Sequence, residues 1–211
     1  MSSEETLTCK QVWDEMNALL SVKNTKLIRN YNRTINMTNF SVETDLFPLA
    51  ALQVYSAYNL EEPIQEQDRI QYFSAHRGGS QGDYRKQMTV KIDNVVDCLR
   101  LFPSSKRAVI TIPNTSTPSH TCDDDAKCMR EIHFYLDDTL DGEESCVGTD
   151  GCVLNATVWM RAQAAEIFPK NIHFIGSLMK VVAAKLSTES QNVQVGTLFY
   201  LATTLVSVRE D

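Results

Sequence analysis

A long apolar segment at 193–208 limits the folds open to this chain more than any other feature. Strand-forming residues fill almost all of it, and a strand this apolar is typical of a sheet covered on both faces for part of its length. Just before it, apolar residues recur at helical spacing from Ile172 to Leu186, which predicts a buried helix. Together they predict a sheet with helices packed against it.

The rest of the chain shows the same two patterns in alternation. Apolar spacing predicts helices over 9–20, 50–58, 64–73 and 88–99, and strands over 108–112, 129–136 and 153–160. The segments 77–82 and 115–127 have the polar composition of loops. With 211 residues, of which 43% are hydrophobic, the chain can bury one sizeable core. We therefore predict a single domain, 1–211, of α/β or α+β class.

Charge and cysteine spacing argue against several classes of function. The formal net charge is −7, whereas nucleic-acid binding draws on clustered Lys and Arg, so we expect no nucleic-acid partner. No run approaches the ~18 apolar residues of a membrane span, and the first residues lack the character of a secretory leader. We expect a cytoplasmic protein without membrane contact. The six cysteines and four histidines lack zinc-site spacing, so no metal is predicted.

Two residues at strand ends point to chemistry. Cys128 stands directly before the predicted strand 129–136, and Arg161 directly follows the predicted strand 153–160. A thiolate is a strong nucleophile, and a guanidinium matches the oxygens of a phosphate. The pair predicts a nucleophile that faces a phosphate site. The plainer alternative, a structural thiol beside a surface charge, stays open.

Seven short segments follow one another in an order that extends the prediction over most of the chain. They are Asn32-Arg33-Thr34, Phe47-Pro48-Leu49, Tyr84-x-Lys86-Gln87, Ser105-Lys106-Arg107, Cys128, Arg161 and Pro169-Lys170-Asn171. This order resembles the thymidylate synthase and deoxycytidylate hydroxymethylase family. The resemblance implies a three-layer α/β (α+β) fold, with a large, mixed, twisted sheet packed by helices and a sheet face buried in a homodimer.

The resemblance also implies an activity. Cys128 would add to C6 of a pyrimidine nucleoside monophosphate, and C5 would then receive a hydroxymethyl or methyl group, with methylenetetrahydrofolate as the family's one-carbon donor. The family also has a helix carboxylate that assists catalysis, for which Glu61 or its neighbour Glu62 lies nearest in this sequence. The phosphate would be bound by four basic residues, Arg33, Lys106, Arg107 and Arg161, with Lys106 and Arg107 supplied across the dimer. Asn171 would read the base, favouring uracil, and Tyr84 would face it. Without ligand, Asn171 can equally cap a helix, and Tyr84 can support a loop.

The chain also departs from the family pattern. Its last strand has Thr203-Thr204-Leu205-Val206-Ser207-Val208 where the family has an Asp-x-His-x-Tyr segment that binds the sugar, and no counterpart of the tail that closes over folate is recognised before Asp211. Three functions therefore stay open. The first is a one-carbon transferase that yields a hydroxymethyl or a methyl product, of which these departures favour the hydroxymethyl. The second is a catalytically reduced nucleotide-binding homodimer, and the third is a structural or regulatory homodimer in which Cys128 is incidental.

Overall fold

The computed structural model describes residues 5–22, 26–73, 83–113, 127–138, 151–189 and 191–207, which form seven strands and five α-helices. The strands are β1 (Leu7–Thr8), β2 (Leu27–Asn36), β3 (Val109–Thr111), β4 (Met129–Asp138), β5 (Cys152–Met160), β6 (Gln163–Ala164) and β7 (Val193–Val206). The helices are α1 (Cys9–Leu20), α2 (Leu49–Asn59), α3 (Glu66–Tyr72), α4 (Met88–Leu101) and α5 (Phe168–Leu186). The loop segments predicted at 77–82 and 115–127 lie, except for Lys127, outside the described residues.

All seven strands join one mixed sheet in which β7 is central. The order is β1-β2-β7-β5-β4-β3, and β6 also pairs with β7. β7 runs antiparallel to β2 and parallel to β5, while β4 is antiparallel to both β5 and β3. The predicted strand is thus confirmed, with hydrogen-bonded neighbours on both edges. It buries every second side chain from Leu198 to Ala202 and leaves the alternate ones half-buried, so coverage of both faces stays a prediction.

The helices stack in layers on one face of this sheet. α5 packs against β7 and β5, has α4 and α1 beside it, and carries α2 on its far side. It is buried on almost all sides for this reason, and its buried residues include the polar Lys170, Asn171 and His173. The layered α/β architecture is as predicted.

Local sequence accounts for where the helices begin. At the start of α1, the Thr8 hydroxyl accepts from the Gln11 N–H, and the Gln11 side chain accepts from the Thr8 N–H in return. α5 begins at Phe168, four residues before the predicted start at Ile172. Pro169 does not prevent this, because a proline in the first helical turn lacks only an N–H that has no helical partner there. The short strands β1 and β6 were not predicted, since two residues carry no periodicity.

The second face of the sheet carries no helix of the described chain. Trp159 on β5 lies opposite Leu201 on β7, and Thr157 lies opposite Phe199. Trp159 is 46% exposed, the other three side chains are half-buried, and none belongs to the hydrophobic core. We call the surface formed by Thr157, Trp159, Phe199 and Leu201 the open sheet face. No helix in the described ranges is long and apolar enough to cross a membrane.

A buried histidine links α2 to α5 and makes stability depend on pH. The His173 Nδ1 lies 2.7 Å from the Ser56 Oγ, and both side chains are buried. Burial lowers the pKa of His173 from 6.5 to about 4, so the unfolded chain binds the proton more tightly. The free energy of unfolding should therefore fall as pH drops from about 6.5 to about 4, by about 3 kcal/mol in total. Denaturant unfolding across this range measures it, and His173→Gln should lose this part of the slope. An unchanged slope in that variant would contradict the assignment.

A close contact at Gly176 makes α5 sensitive to a single methyl group. A Cβ at Gly176 would lie 2.1 to 2.6 Å from carbons of Phe40, including the Phe40 Cβ, closer than van der Waals contact permits. We expect Gly176→Ala to lower the free energy of unfolding by about 1–2 kcal/mol, since the overlap outweighs the gain in helix propensity. Chemical denaturation measures this. In a Phe40→Gly background, which removes all three close Phe40 carbons, the same change should be neutral or stabilising, and an equal loss there would refute the contact as the cause.

Candidate functional site

The predicted nucleophile and phosphate residue meet at one end of the sheet. The antiparallel pairing of β4 and β5 sets Met129 opposite Met160, so the residues just outside each strand are neighbours. The Arg161 N–H donates to the Cys128 carbonyl at 2.7 Å. Cys128 is 8% exposed. The pairing inferred from strand order is thus present in the structure, whereas the chemical roles of the two residues stay predictions.

An aromatic cluster surrounds this end of the sheet. Tyr84 stacks on Phe174 of α5, with ring centroids 5.5 Å apart, and Tyr55 of α2 meets the same ring edge-on at 6.3 Å. The Tyr84 hydroxyl accepts from the Met129 N–H at 3.3 Å. Burial, and after it the charge of Cys128, raises the pKa of Tyr84 far above its usual value. Tyr84 therefore lies beside the candidate nucleophile and keeps its proton at ordinary pH, whereas its role in facing a base stays a prediction.

A buried lysine adjoins the same cluster. Lys170 lies in the first turn of α5 and is 2% exposed, and its Nζ lies 4.8 Å from the centroid of the Tyr55 ring. Burial, followed by the charges of Tyr84 and Cys128, raises the pKa of Tyr55 well above its usual value. A cation over an aromatic face is favourable, and more so away from water. The site thus contains a buried amino group to which the sequence analysis gave no role.

Asn171 belongs to a buried hydrogen-bond network. Its Nδ2 donates to the Gln163 Oε1 at 2.9 Å, and the Tyr200 hydroxyl donates to the same oxygen at 2.7 Å. The Gln163 Nε2 donates to the Ala164 carbonyl at 2.7 Å. Asn171 is 2% exposed, and its Oδ1 is a buried atom without a hydrogen-bond partner in the described part of the protein. Such an acceptor is unusual, since buried polar groups are nearly always satisfied.

Arg33 lies on β2, away from Cys128. Its Nε donates to the Glu15 Oε2 at 2.9 Å, and the two side chains form an ion pair between β2 and α1. Three strand spacings separate β2 from β4, which is about 14 Å. Arg161, at the end of β5, is two spacings, or about 10 Å, away across the sheet. Arg33 is level with Val158, because both pair with Tyr200, so Arg161 and its neighbour Cys128 also lie about 10 Å farther along the strands. The structure therefore brings Arg33 nearer to Arg161 than to the thiol.

Lys106 and Arg107 lie far from Cys128 of their own chain. They sit between α4 and β3, in a concave surface of about 580 Å³ lined by residues 101–107. Val109 at the start of β3 pairs with His133, which at about 3.4 Å per residue is roughly 17 Å along the sheet from Cys128. Arg107 lies farther still. Neither side chain can reach a ligand bound at Cys128 of the same chain.

Glu61 has a structural role at the surface. It follows the end of α2 in a left-handed conformation, with φ 61°, and its Oε2 accepts from the Thr89 N–H at 2.9 Å, in the first turn of α4. That hydrogen bond lowers the pKa of Glu61. A carboxylate at a helix N-terminus stabilises the helix. The expectation that Glu61 assists catalysis finds no support in this geometry, because the carboxylate is exposed and engaged with α4.

Three buried polar side chains of the site escaped the sequence reasoning: Gln163, Lys170 and Tyr200. Polar neighbours, Arg161 and Glu166 around Gln163 and Asn171 beside Lys170, make these segments look like ordinary turns, so the sequence carries no signal that the side chains are buried. Among the residues that the structure describes, no group of three or more His, Cys, Asp or Glu side chains is placed to hold a metal ion.

Comparison with known proteins identifies the fold but no family. No family model matches the sequence, and no curated protein matches it. Among solved structures, thymidylate synthase from T4 phage superposes with a TM-score of 0.59 over 95% of this chain and 77% of that chain, at 14% sequence identity. A likeness at this identity shows a shared fold, and the predicted thymidylate-synthase-like architecture is confirmed.

Proposed function

We propose that this protein transfers a one-carbon unit to C5 of a pyrimidine nucleoside monophosphate, with Cys128 as the nucleophile at C6. The observation that carries the proposal is the buried acceptor at Asn171 Oδ1, which has no hydrogen-bond partner among the described residues. It belongs to a network that includes Tyr200, whose pKa is raised by burial and then by the charge of Cys128. A pyrimidine N–H would satisfy this oxygen.

The chemistry follows from a thiolate beside a bound pyrimidine. The Cys128 sulfur would form a bond to C6, and the C5–C6 π electrons would move onto C5 and the C4 carbonyl as an enolate. The enolate carbon attacks a one-carbon electrophile or takes a proton from water. After transfer, loss of the C5 proton and departure of the carrier nitrogen would leave an exocyclic methylene group at C5. Addition of water to this carbon would give the hydroxymethyl group, and departure of the sulfur would restore the ring double bond. A thiolate suits both addition and departure.

The basic residues divide between one subunit and a second copy. Arg161 would bind the phosphate next to Cys128, and Arg33, about 14 Å from Arg161, would approach it from β2. Lys106 and Arg107 can contribute only to the site of a partner subunit, because they lie roughly 17 Å or more from their own Cys128. The open sheet face offers the apolar surface for such a homodimer. His133 lies next to the open sheet face, opposite Thr157. Its Nε2 is buried and lacks a hydrogen-bond partner among the described residues.

The donor in the proposed reaction is methylenetetrahydrofolate or a related one-carbon carrier, as the family resemblance implies. No described side chain has a feature that singles it out for a folate, so the residue assignments concern the nucleotide alone. The proposed base is uracil, and the proposed product carries a hydroxymethyl group.

A nucleotide-binding homodimer without chemistry is the second candidate. The observation that favours it is Glu61, because the predicted catalytic carboxylate caps α4 instead of facing the thiol. Tyr55 is the α2 side chain in the aromatic cluster, and its raised pKa makes it a weaker acid than a carboxyl group would be. This candidate predicts phosphate-dependent binding without turnover, and a purely structural homodimer predicts no nucleotide affinity.

The decisive experiment follows the C5 proton of UMP, dUMP, CMP and dCMP by NMR in deuterated water, with and without methylenetetrahydrofolate. Exchange requires only addition at C6 and protonation at C5, so it tests Cys128 before the donor is known. We expect exchange with a uracil nucleotide. Nucleotide binding by calorimetry without exchange would establish the second candidate, and no binding would leave the structural one.

A further inference from the structure

The amide of Asn171 is held in one of its two possible orientations by its neighbours. An Asn side chain presents a carbonyl on one side and an amino group on the other, and a rotation of 180° exchanges them. The Ala164 carbonyl can only accept a hydrogen bond. The Gln163 Nε2 donates to it at 2.7 Å, so the Gln163 Oε1 must point the other way. The orientation of Gln163 is thereby fixed by the backbone.

The fixed Gln163 in turn fixes Asn171. The Gln163 Oε1 can only accept, and the group 2.9 Å from it on Asn171 is therefore Nδ2. The Tyr200 hydroxyl also donates to this oxygen, at 2.7 Å. Burial, and after it the charge of Cys128, raises the pKa of Tyr200, so the phenol keeps its proton and remains a donor. Rotation of the Asn171 amide would bring two acceptor oxygens together in a buried place, which is unfavourable.

This orientation has a consequence for the choice of base. Along the edge that an amide reads, uracil presents a donor at N3 and an acceptor at O4, whereas cytosine presents an acceptor at N3 and a donor at N4. One orientation of the amide matches one base, and the rotated amide matches the other. We propose that Gln163 is a specificity-determining positioning residue, which sets the preference between uracil and cytosine by preventing Asn171 from rotating. The inference rests on the proposed function, in which Asn171 reads a pyrimidine.

The test compares Gln163→Met with Gln163→Glu. Methionine keeps the length of the side chain but cannot accept strongly, so Asn171 can rotate. Glutamate keeps an acceptor toward Asn171, and in the neutral form that burial favours its O–H can still donate to the Ala164 carbonyl, so it should keep the orientation of Asn171. The readout is the ratio of C5 exchange rates for the uracil and cytosine nucleotides of the same sugar. We expect this ratio to fall at least about tenfold in Gln163→Met and to stay near the wild-type value in Gln163→Glu. A wild-type ratio in a folded Gln163→Met protein would overturn the inference.

A second measurement needs no variant and covers the case in which Gln163→Met does not fold. In the wild-type protein, NMR of the Asn171 side-chain amide should show one Nδ2 proton protected from solvent exchange by its bond to Gln163. Two rapidly exchanging Nδ2 protons would overturn the inference. The two proposals can fail separately. Absence of C5 exchange in the wild-type protein rejects the transferase, whereas exchange with an unprotected amide rejects only the role of Gln163.

Discussion

Replacing Cys128 with serine should abolish C5 proton exchange, with a loss of at least about a thousandfold in rate. The serine hydroxyl keeps the size of the thiol but is a far weaker nucleophile at neutral pH. Asn171 and Arg161 would be untouched, so nucleotide affinity measured by calorimetry should stay near that of the wild-type protein. Exchange is followed by NMR with the preferred nucleotide in deuterated water. The combination of retained binding and lost exchange identifies a nucleophile.

Cys98 provides the matched control. It is a half-buried thiol on α4 whose Sγ donates to the Ser105 hydroxyl at 3.1 Å, at the end of the molecule opposite the site. Cys98→Ser makes the same chemical change and should leave the exchange rate unchanged. Equal losses in both variants would show a general sensitivity to thiol replacement, and full exchange in Cys128→Ser would disprove the mechanism.

Mixing two inactive variants should restore activity if Arg107 serves the partner's site. One variant is Cys128→Ser, and the other is the double replacement of Lys106 and Arg107 by alanine. In a mixed dimer, the intact Cys128 of one subunit would meet the intact basic residues of the other. Random exchange of subunits makes this arrangement available at about a quarter of all sites. We expect recovery to about a quarter of the wild-type exchange rate, measured after refolding the mixture together.

Arg161 gives the control for this experiment, because it lies next to Cys128 of its own chain. A mixture of Cys128→Ser with Arg161→Ala leaves every site with one defect and should show no recovery. Trp159→Glu, which places a charge on the open sheet face, should prevent dimerisation in size-exclusion chromatography and abolish recovery in the first mixture. Mixed dimers that form without regaining exchange would exclude a role for Arg107 in the partner's site.

The sequence predicted most of the architecture because its periodic elements are long. α1 is predicted at 9–20 and is found at Cys9–Leu20. The strand predicted at 129–136 is found at Met129–Asp138, only two residues longer. Adjacent strands of this kind pair in a sheet, so the meeting of Cys128 and Arg161 followed from their positions at strand ends. What the pattern could not show is which polar residues become buried, since that depends on partners distant in sequence.

Two residues illustrate this limit. In the sequence, Gln163 looks like an ordinary polar residue in a turn. Its buried role depends on hydrogen bonds from Tyr200 on β7 and Asn171 on α5, which lie far from it in the chain or on another element. The resemblance implies a catalytic carboxylate near the second helix, for which Glu61 is a candidate, but α2 ends at Asn59, and two residues later Glu61 contacts the start of α4. A carboxylate just past a helix end is governed by turn geometry, which helical spacing does not report.

The position of β7 has a consequence for how the protein assembles. Its main neighbours come from opposite parts of the chain, so that Ile35 of β2 pairs with Leu198 and Val158 of β5 pairs with Tyr200. Contacts between such distant residues close large loops and slow the folding transition. During synthesis, the edges of β2 and β5 that pair with β7 would stay unpaired until residue 193 and the residues after it leave the ribosome. The chain therefore passes through a period of exposure in which chaperone binding competes with aggregation.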